Sequence, residues 1–275
     1  MNEREDPTSI FVQRGDEPGP TLAVFCGVHG NETAGILAVK EVLRKKIVQR
    51  GSVYFVFANP RAIEQGIRFT EKNLNRCFTA ENNGTTYEEE RARELMPLLD
   101  NVDALLDLHA SNIPDSTPFL ICEENAFACA SNLDFDIVST GWDALEPGAT
   151  DGYIYRQGKV GICAECGFAG DGENYASLAA DTIHRFLTFF GCSDSIVLSP
   201  RKQQHMHVDT VIMKKDADFM LTKAYDDFEV LPAGTCFATS GDKKYITDKD
   251  AVIMFANPKK EVGGEACILG SWINT

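Results

Sequence analysis

The stretch Leu22-Ala23-Val24-Phe25-Cys26-Gly27-Val28-His29-Gly30-Asn31-Glu32 carries an apolar run straight into a short polar turn. Leu22 to Cys26 reads as a buried strand and Thr33 to Lys46 as a helix, which puts His29 and Glu32 on the strand-to-helix turn. Open α/β sheets bind their ligands at such carboxyl ends of central strands. An imidazole and a carboxylate three residues apart in that position suggest half of a zinc site, with the remaining ligands elsewhere in the chain. By itself the pair also fits a loop histidine and glutamate that only hold a turn.

The same pattern recurs downstream. Ala104-Leu105-Leu106-Asp107-Leu108-His109 is apolar until it ends in a polar cluster, and Val160-Gly161-Ile162-Cys163-Ala164 delivers Glu165 to the end of another apolar strand. His109 completes a two-histidine, one-glutamate set that leaves a fourth position for water, although a strand-end histidine can also be satisfied by backbone alone. An ionised carboxylate is costly to bury without a partner. Glu165 is therefore a candidate base, able to take a proton from a metal-activated water and return it to a leaving amine.

Donors come from the segments between. Asn59-Pro60-Arg61 follows the strand Val53 to Ala58, and the proline stops ladder pairing and releases Arg61 to a loop. Ala62 to Gly84 has little periodicity and holds Arg68, Asn73, Asn75 and Arg76, a long loop of the kind usually kept for function. Arg61 facing the metal would stabilise an oxyanion, and Arg76 with Asn75 would grip a substrate carboxylate. For any one of these arginines a surface ion pair is the ordinary reading; several together point to a substrate.

Length and composition bound the rest. A chain of 275 residues buries roughly three quarters of its unfolded surface, enough for one large domain or a large one plus a small one. With 44% hydrophobic and 24% charged residues it is not disordered, and no apolar run reaches the roughly 20 residues that span a bilayer. A net charge of −15 excludes nucleic acid and anionic membrane as expected partners. Met1-Asn2-Glu3-Arg4-Glu5-Asp6 lacks a signal-peptide pattern, so a cytoplasmic location is expected. Nine cysteines, an odd number set in apolar segments, fit reduced thiols, and Cys163 and Cys166 on one strand would face opposite ways. Strands alternate with helices up to Gly191, after which short strands and turns begin. His205 and His207 share a strand face but have no third ligand nearby, and the acidic run Glu88 to Glu90 reads as a helix start.

His29-Gly30-Asn31-Glu32, Asn59-Pro60-Arg61, Asn73-Leu74-Asn75-Arg76, Asp107-Leu108-His109 and Ala164-Glu165-Cys166-Gly167 occur in one order. That order resembles the succinylglutamate desuccinylase/aspartoacylase family, relatives of the zinc carboxypeptidases, over roughly residues 20 to 190. The resemblance implies one zinc ion per chain on His29, Glu32 and His109, with Glu165 as general base and acid. It also implies Arg61 as the carbonyl-polarising arginine and Asn75, Arg76 and Arg156 as substrate-binding residues. Two positions depart from the family pattern: Asn73, where aspartate is usual, and the continuation Cys166-Gly167-Phe168-Ala169-Gly170. Both bear on the substrate more than on the reaction.

The expected fold is α/β, a mostly parallel mixed sheet flanked by helices and zinc carboxypeptidase-like. Residues 1–195 would form the catalytic domain and residues 202–275 a small all-β domain, sandwich- or barrel-like. The expected activity is zinc-dependent hydrolysis of the amide of an N-acyl amino acid, a small-molecule substrate. A metallocarboxypeptidase acting on short peptides and a non-catalytic zinc-binding scaffold are the alternatives. The sequence leaves open whether the chain forms a homo-oligomer.

Overall fold

The computed structural model describes residues 9–257 and 261–273, so the charged segment Met1–Asp6 lies outside the described residues. The N-terminal part runs β1 (Ile10–Arg14), β2 (Glu17–Cys26), α1 (Thr33–Val42), β3 (Arg50–Phe57), α2 (Pro60–Gln65), α3 (Tyr87–Asp100) and β4 (Ala104–Ser111). The middle adds β5 (Phe119–Cys122), α4 (Phe127–Ala130), β6 (Ile137–Thr140), α5 (Trp142–Leu145), α6 (Thr150–Tyr155), β7 (Val160–Phe168) and α7 (Gly172–Phe189). The C-terminal strands are β8 (Gln204–Met213), β9 (Phe219–Leu221), β10 (Glu229–Leu231), β11 (Cys236–Ser240), β12 (Lys243–Ile246), β13 (Ala251–Met254) and β14 (Glu265–Ile273).

Eleven strands form one mixed sheet in the order β1-β3-β2-β4-β7-β5-β6-β8-β14-β13-β10. Strands β3, β2, β4 and β7 are mutually parallel and sit between helices, so their residues are apolar on both faces. Period-two alternation divides β2 between two cores: Leu22, Val24 and Cys26 pack on the α1 and α7 side, Ala23 and Phe25 on the α3 side. Phe25 has no exposed surface, and its burial contributes roughly 1.5–3 kcal/mol. Helix α1 buries Ala34, Ile36, Ala38, Val39 and Val42 on one stripe. Helix α3 starts at a capping box formed by Thr86 and Glu89, with the Thr86 N–H donating to Glu89 Oε2 at 3.1 Å.

The C-terminal strands extend the central sheet, because β8 pairs in parallel with β6 from Ile137↔Gln204 to Thr140↔His207. A separate three-stranded antiparallel sheet, β12-β11-β9, packs beside them. Ile10–Arg14 is an edge strand on β3. Glu124–Ala126 form a 3₁₀ turn that leads into the four residues of α4. One local expectation differs. Asn59-Pro60 begins helix α2 instead of a loop: the Ala62 N–H donates to Asn59 Oδ1 at 3.2 Å and Pro60 takes the first helical position.

All nine cysteines are free, and Cys163 and Cys166 belong to different cores. Among the described residues no helix is long and apolar enough to cross a membrane.

Candidate active site

The carboxyl ends of β2, β4 and β7 lie side by side, and each contributes to one cluster. His29 and Glu32 occupy the turn after β2, with Glu32 at the N-cap of α1. His109 lies two residues before the end of β4 and stands in register with Glu165 of β7. Gly30 is required here, since a Cβ at that position would come within 2.0 Å of the Ala62 carbonyl carbon. The turn therefore rests directly on α2.

His29, Glu32 and His109 are buried, and their ligand atoms lie within 4.8 Å of one another. Nδ1 of His29 is 2.8 Å from Glu32 Oε1, and Nδ1 of His109 is 3.1 Å from Glu32 Oε2. The far nitrogens are backed differently. His29 Nε2 meets Asn73 Oδ1 at 2.9 Å, whereas His109 Nε2 lies 3.0 Å from Asp107 Oδ2. The Asn75 N–H also donates to Asn73 Oδ1, so that atom is the amide oxygen and His29 Nε2 must be the donor. The lone pair of His29 Nδ1 then faces a carboxylate oxygen, and Nδ1 has no hydrogen-bond partner. Two lone pairs this close repel unless a cation lies between them, and two imidazoles and one carboxylate are a zinc donor set. The residues fit the metal.

Without a metal the two histidines are pushed in opposite directions. Burial holds His29 below its ordinary pKa, so the ring is a neutral ligand. Burial works against ionisation of Glu32, yet the two histidines outweigh it and hold the carboxyl well below the usual range. For His109 burial is likewise opposed, by Asp107 and then Glu32, and its pKa is raised. Glu32 Oε1 accepts from Arg68 Nη1 at 2.9 Å and Oε2 from the Ala110 N–H at 3.0 Å.

Glu165 is only 9% exposed and its Oε2 has no hydrogen-bond partner. Burial, then the neighbouring charge of Glu32, pushes its pKa up to about 8. The cluster opens on a cavity of about 360 Å³. Its polar lining adds Arg68, Asn75, Arg76, Glu146, Asp151 and Glu265, and its apolar wall includes Ile121, Trp142, Phe255 and Ile268.

The family model described as "Succinylglutamate desuccinylase/Aspartoacylase catalytic domain" matches residues 18–190. The chain belongs to this family. A probable aspartoacylase from Nostoc is 29% identical over 58% of this chain and 60% of its own length. A succinylglutamate desuccinylase from Shewanella is 26% identical, across 96% of this chain and 86% of the relative. In fold the chain is similar to a succinylglutamate desuccinylase from Vibrio cholerae, with TM-score 0.81, 20% identity and coverage of 97% and 86%. It is also similar to the product-bound ectoine utilization protein EutE from Ruegeria pomeroyi, with TM-score 0.75, 20% identity and coverage of 95% and 88%. Family membership together with the His/Glu/His cluster supports a zinc-dependent hydrolase of deacylase type.

Of the residues expected at the site, the structure brings together His29, Glu32, His109, Glu165, Asn75 and Arg76. Two it does not. Arg61 does not line the cavity: it lies in the first turn of α2, exposed, with its guanidinium carbon 3.9 Å from the centroid of the Tyr87 ring. The physical reason is the Asn59-Pro60 cap, which starts a helix where a free loop was expected. Arg156 likewise stays outside, since it pairs with Asp143 and donates Nη2 to the Phe78 carbonyl at 2.9 Å. The arginine beside the triad is Arg68, a member of the long loop seven residues beyond Arg61.

Sequence reasoning also missed Glu88. It is fully buried, and its carboxylate accepts the N–H groups of Thr70, Glu71 and Lys72 at 2.6, 3.1 and 3.1 Å, together with Thr70 Oγ1 and Asn59 Nδ2. These bonds tie down the loop that carries Arg68 and Asn73. Arg76, which also lines the cavity, pairs with Glu146 and lies 3.8 Å from Glu265. Among the described residues His205 and His207 join no metal-ligand cluster.

Proposed function

We propose that the protein hydrolyses the amide bond of an N-acyl amino acid, using one zinc ion held by His29, Glu32 and His109. Zinc bound there supplies Lewis acidity, which makes a water nucleophilic at neutral pH and polarises an acyl carbonyl. The observation that carries the reading is Glu165, a buried carboxylate with an oxygen left without a partner, in register with His109 and facing the cavity.

Glu165 takes a proton from the attacking water and returns it to the nitrogen as the carbon–nitrogen bond breaks. Its raised pKa matches that second task, because a proton held near neutrality is readily given up. Arg68, fixed to Glu32, presents its guanidinium to the cavity and donates to the acyl oxygen as negative charge builds there. This is the role that the resemblance gave to Arg61. Asn75 and Arg76 orient the substrate through its carboxylate, with Arg76 exchanging its contact to Glu146 for the ligand. A zinc-binding scaffold has no use for an unpartnered base.

The test is metal analysis of the purified protein alongside a hydrolysis screen of N-acetyl and N-succinyl amino acids and blocked dipeptides. One zinc per chain and release of free amino acid from the acylated compounds are expected. Release from the blocked dipeptides alone would make the protein a carboxypeptidase. A protein with no zinc and no turnover on any compound would overturn the proposal.

A further inference from the structure

The two histidines of the triad are held by different chemistry. Behind His109 stands a carboxylate, Asp107, whose Oδ2 also accepts the Thr150 hydroxyl at 2.5 Å. Behind His29 stands a neutral amide, Asn73, whose oxygen accepts both His29 Nε2 at 2.9 Å and the Asn75 N–H at 3.0 Å. An outer carboxylate makes a ligating imidazole a stronger donor, and such outer partners change metal affinity by roughly 10- to 100-fold. An amide fixes the same tautomer and ring orientation with much less charge.

The geometry points to Asn73 as a positioning residue that selects the nitrogen His29 turns to the metal and makes His29 the weaker-held half of the zinc site. This rests on the proposed assignment of His29, Glu32 and His109 as the zinc ligands. Asn73 sets the tautomer because its oxygen already holds a backbone N–H and can only accept from the ring. It weakens the donor because a neutral oxygen does not stabilise positive charge building on the imidazole as Asp107 does across the site. The backbone carbonyl of Asn73 is taken up by its own 3₁₀ turn, accepting from the Arg76 N–H at 3.0 Å and from the Cys77 thiol at 3.3 Å.

The experiment is competition of the purified protein against a zinc chelator of known affinity, for the wild type, Asn73→Asp, Asn73→Leu and Asp107→Asn. Asn73→Asp keeps the shape and the acceptor, and it is expected to tighten zinc binding by roughly tenfold. Asn73→Leu removes the acceptor and should weaken binding by roughly 10- to 100-fold, while Asp107→Asn should weaken it toward the behaviour of the His29 side. Nitrogen-15 spectra of the zinc-free protein should show His29 protonated at Nε2 in the wild type and a mixture of tautomers in Asn73→Leu. If the wild type takes up zinc and Asn73→Asp binds it no more tightly, this inference fails while the zinc reading stands. If the wild type takes up no zinc at all, both fail.

Discussion

Of the residues lining the cavity, His29, Glu32, His109 and Glu165 stand at or just beyond the carboxyl ends of adjacent parallel strands, whereas Arg76, Glu146, Phe255 and Glu265 arrive from separate turns and from the C-terminal strands. The first set is positioned by the sheet itself. His109 and Glu165 are neighbours because β4 and β7 pair residue by residue, and a shift of register would break a ladder buried on both faces. The second set is positioned by tertiary contacts that reach across the chain. Phe255, which has φ 51°, is held by its N–H donating to Asp227 Oδ1 at 2.7 Å, and Asp227 Oδ2 in turn accepts the Ser116 hydroxyl at 2.5 Å. On the proposed reading the two groups have different tasks: the strand ends carry the reaction, and the rest of the lining carries the choice of substrate.

The strongest way to break that division is at the strand ends. His109→Ala should reduce zinc content to near zero and abolish hydrolysis, measured by metal analysis and turnover on one sample. Next in size is Arg68→Ala, expected to lower kcat by roughly 10²- to 10³-fold while zinc remains bound. Arg61→Ala should leave kcat unchanged, since Arg61 stacks on Tyr87 outside the cavity. If the two arginines behaved the other way round, the placement of the oxyanion donor would be wrong. In the rest of the lining Arg76→Ala should raise KM by roughly 10- to 100-fold with a smaller effect on kcat. Arg156→Ala, which loses the contacts to Asp143 and Phe78, should leave KM alone and lower stability by about 1 kcal/mol.

The smallest effect is one of pH on the zinc-free protein. Burial raises Glu165 from about 4.5 to about 8, so the folded state binds that proton more tightly than the unfolded chain. The favourable contribution is complete below the unfolded value and is lost as pH rises through the folded one. Wild-type protein should therefore lose stability relative to Glu165→Gln between about pH 4.5 and 8, read as the difference between their melting temperatures across that range. For the loaded enzyme the sign of the rate is the opposite, because the base works ionised. A nearby dication lowers its pKa, so the acid limb of the rate profile should lie below about 8.

How legible each group was in the sequence follows the same division. A buried strand that ends in a polar residue is visible as an apolar run with a terminus, and that pattern singles out His29, Glu32, His109 and Glu165. Arg61 went astray at a place where the sequence did hold the signal: asparagine followed by proline is an N-cap with proline at the first helical position, and it predicts α2. Arg68 was visible only as a loop residue, and what brings it to Glu32 is the set of bonds from Glu88 to Thr70, Glu71 and Lys72. Glu88 itself sits in an acidic first turn beside Glu89 and Glu90, where local pattern does not mark one carboxylate as buried. Glu146, Phe255 and Glu265 carry no local mark at all. Glu146 reaches Arg76 from the turn after α5, whereas Phe255 and Glu265 line the cavity because β8 joins the central sheet at β6, a pairing between segments more than sixty residues apart in sequence.

Glu165→Gln tests the central claim most directly, with zinc content and hydrolysis measured on the same preparation. The substitution removes a base from the cavity and leaves His29, Glu32 and His109 in place. Full zinc content with kcat lowered by roughly 10²- to 10⁴-fold is the expected result. A variant that keeps its zinc and turns over acylated amino acids at the wild-type rate would contradict the account.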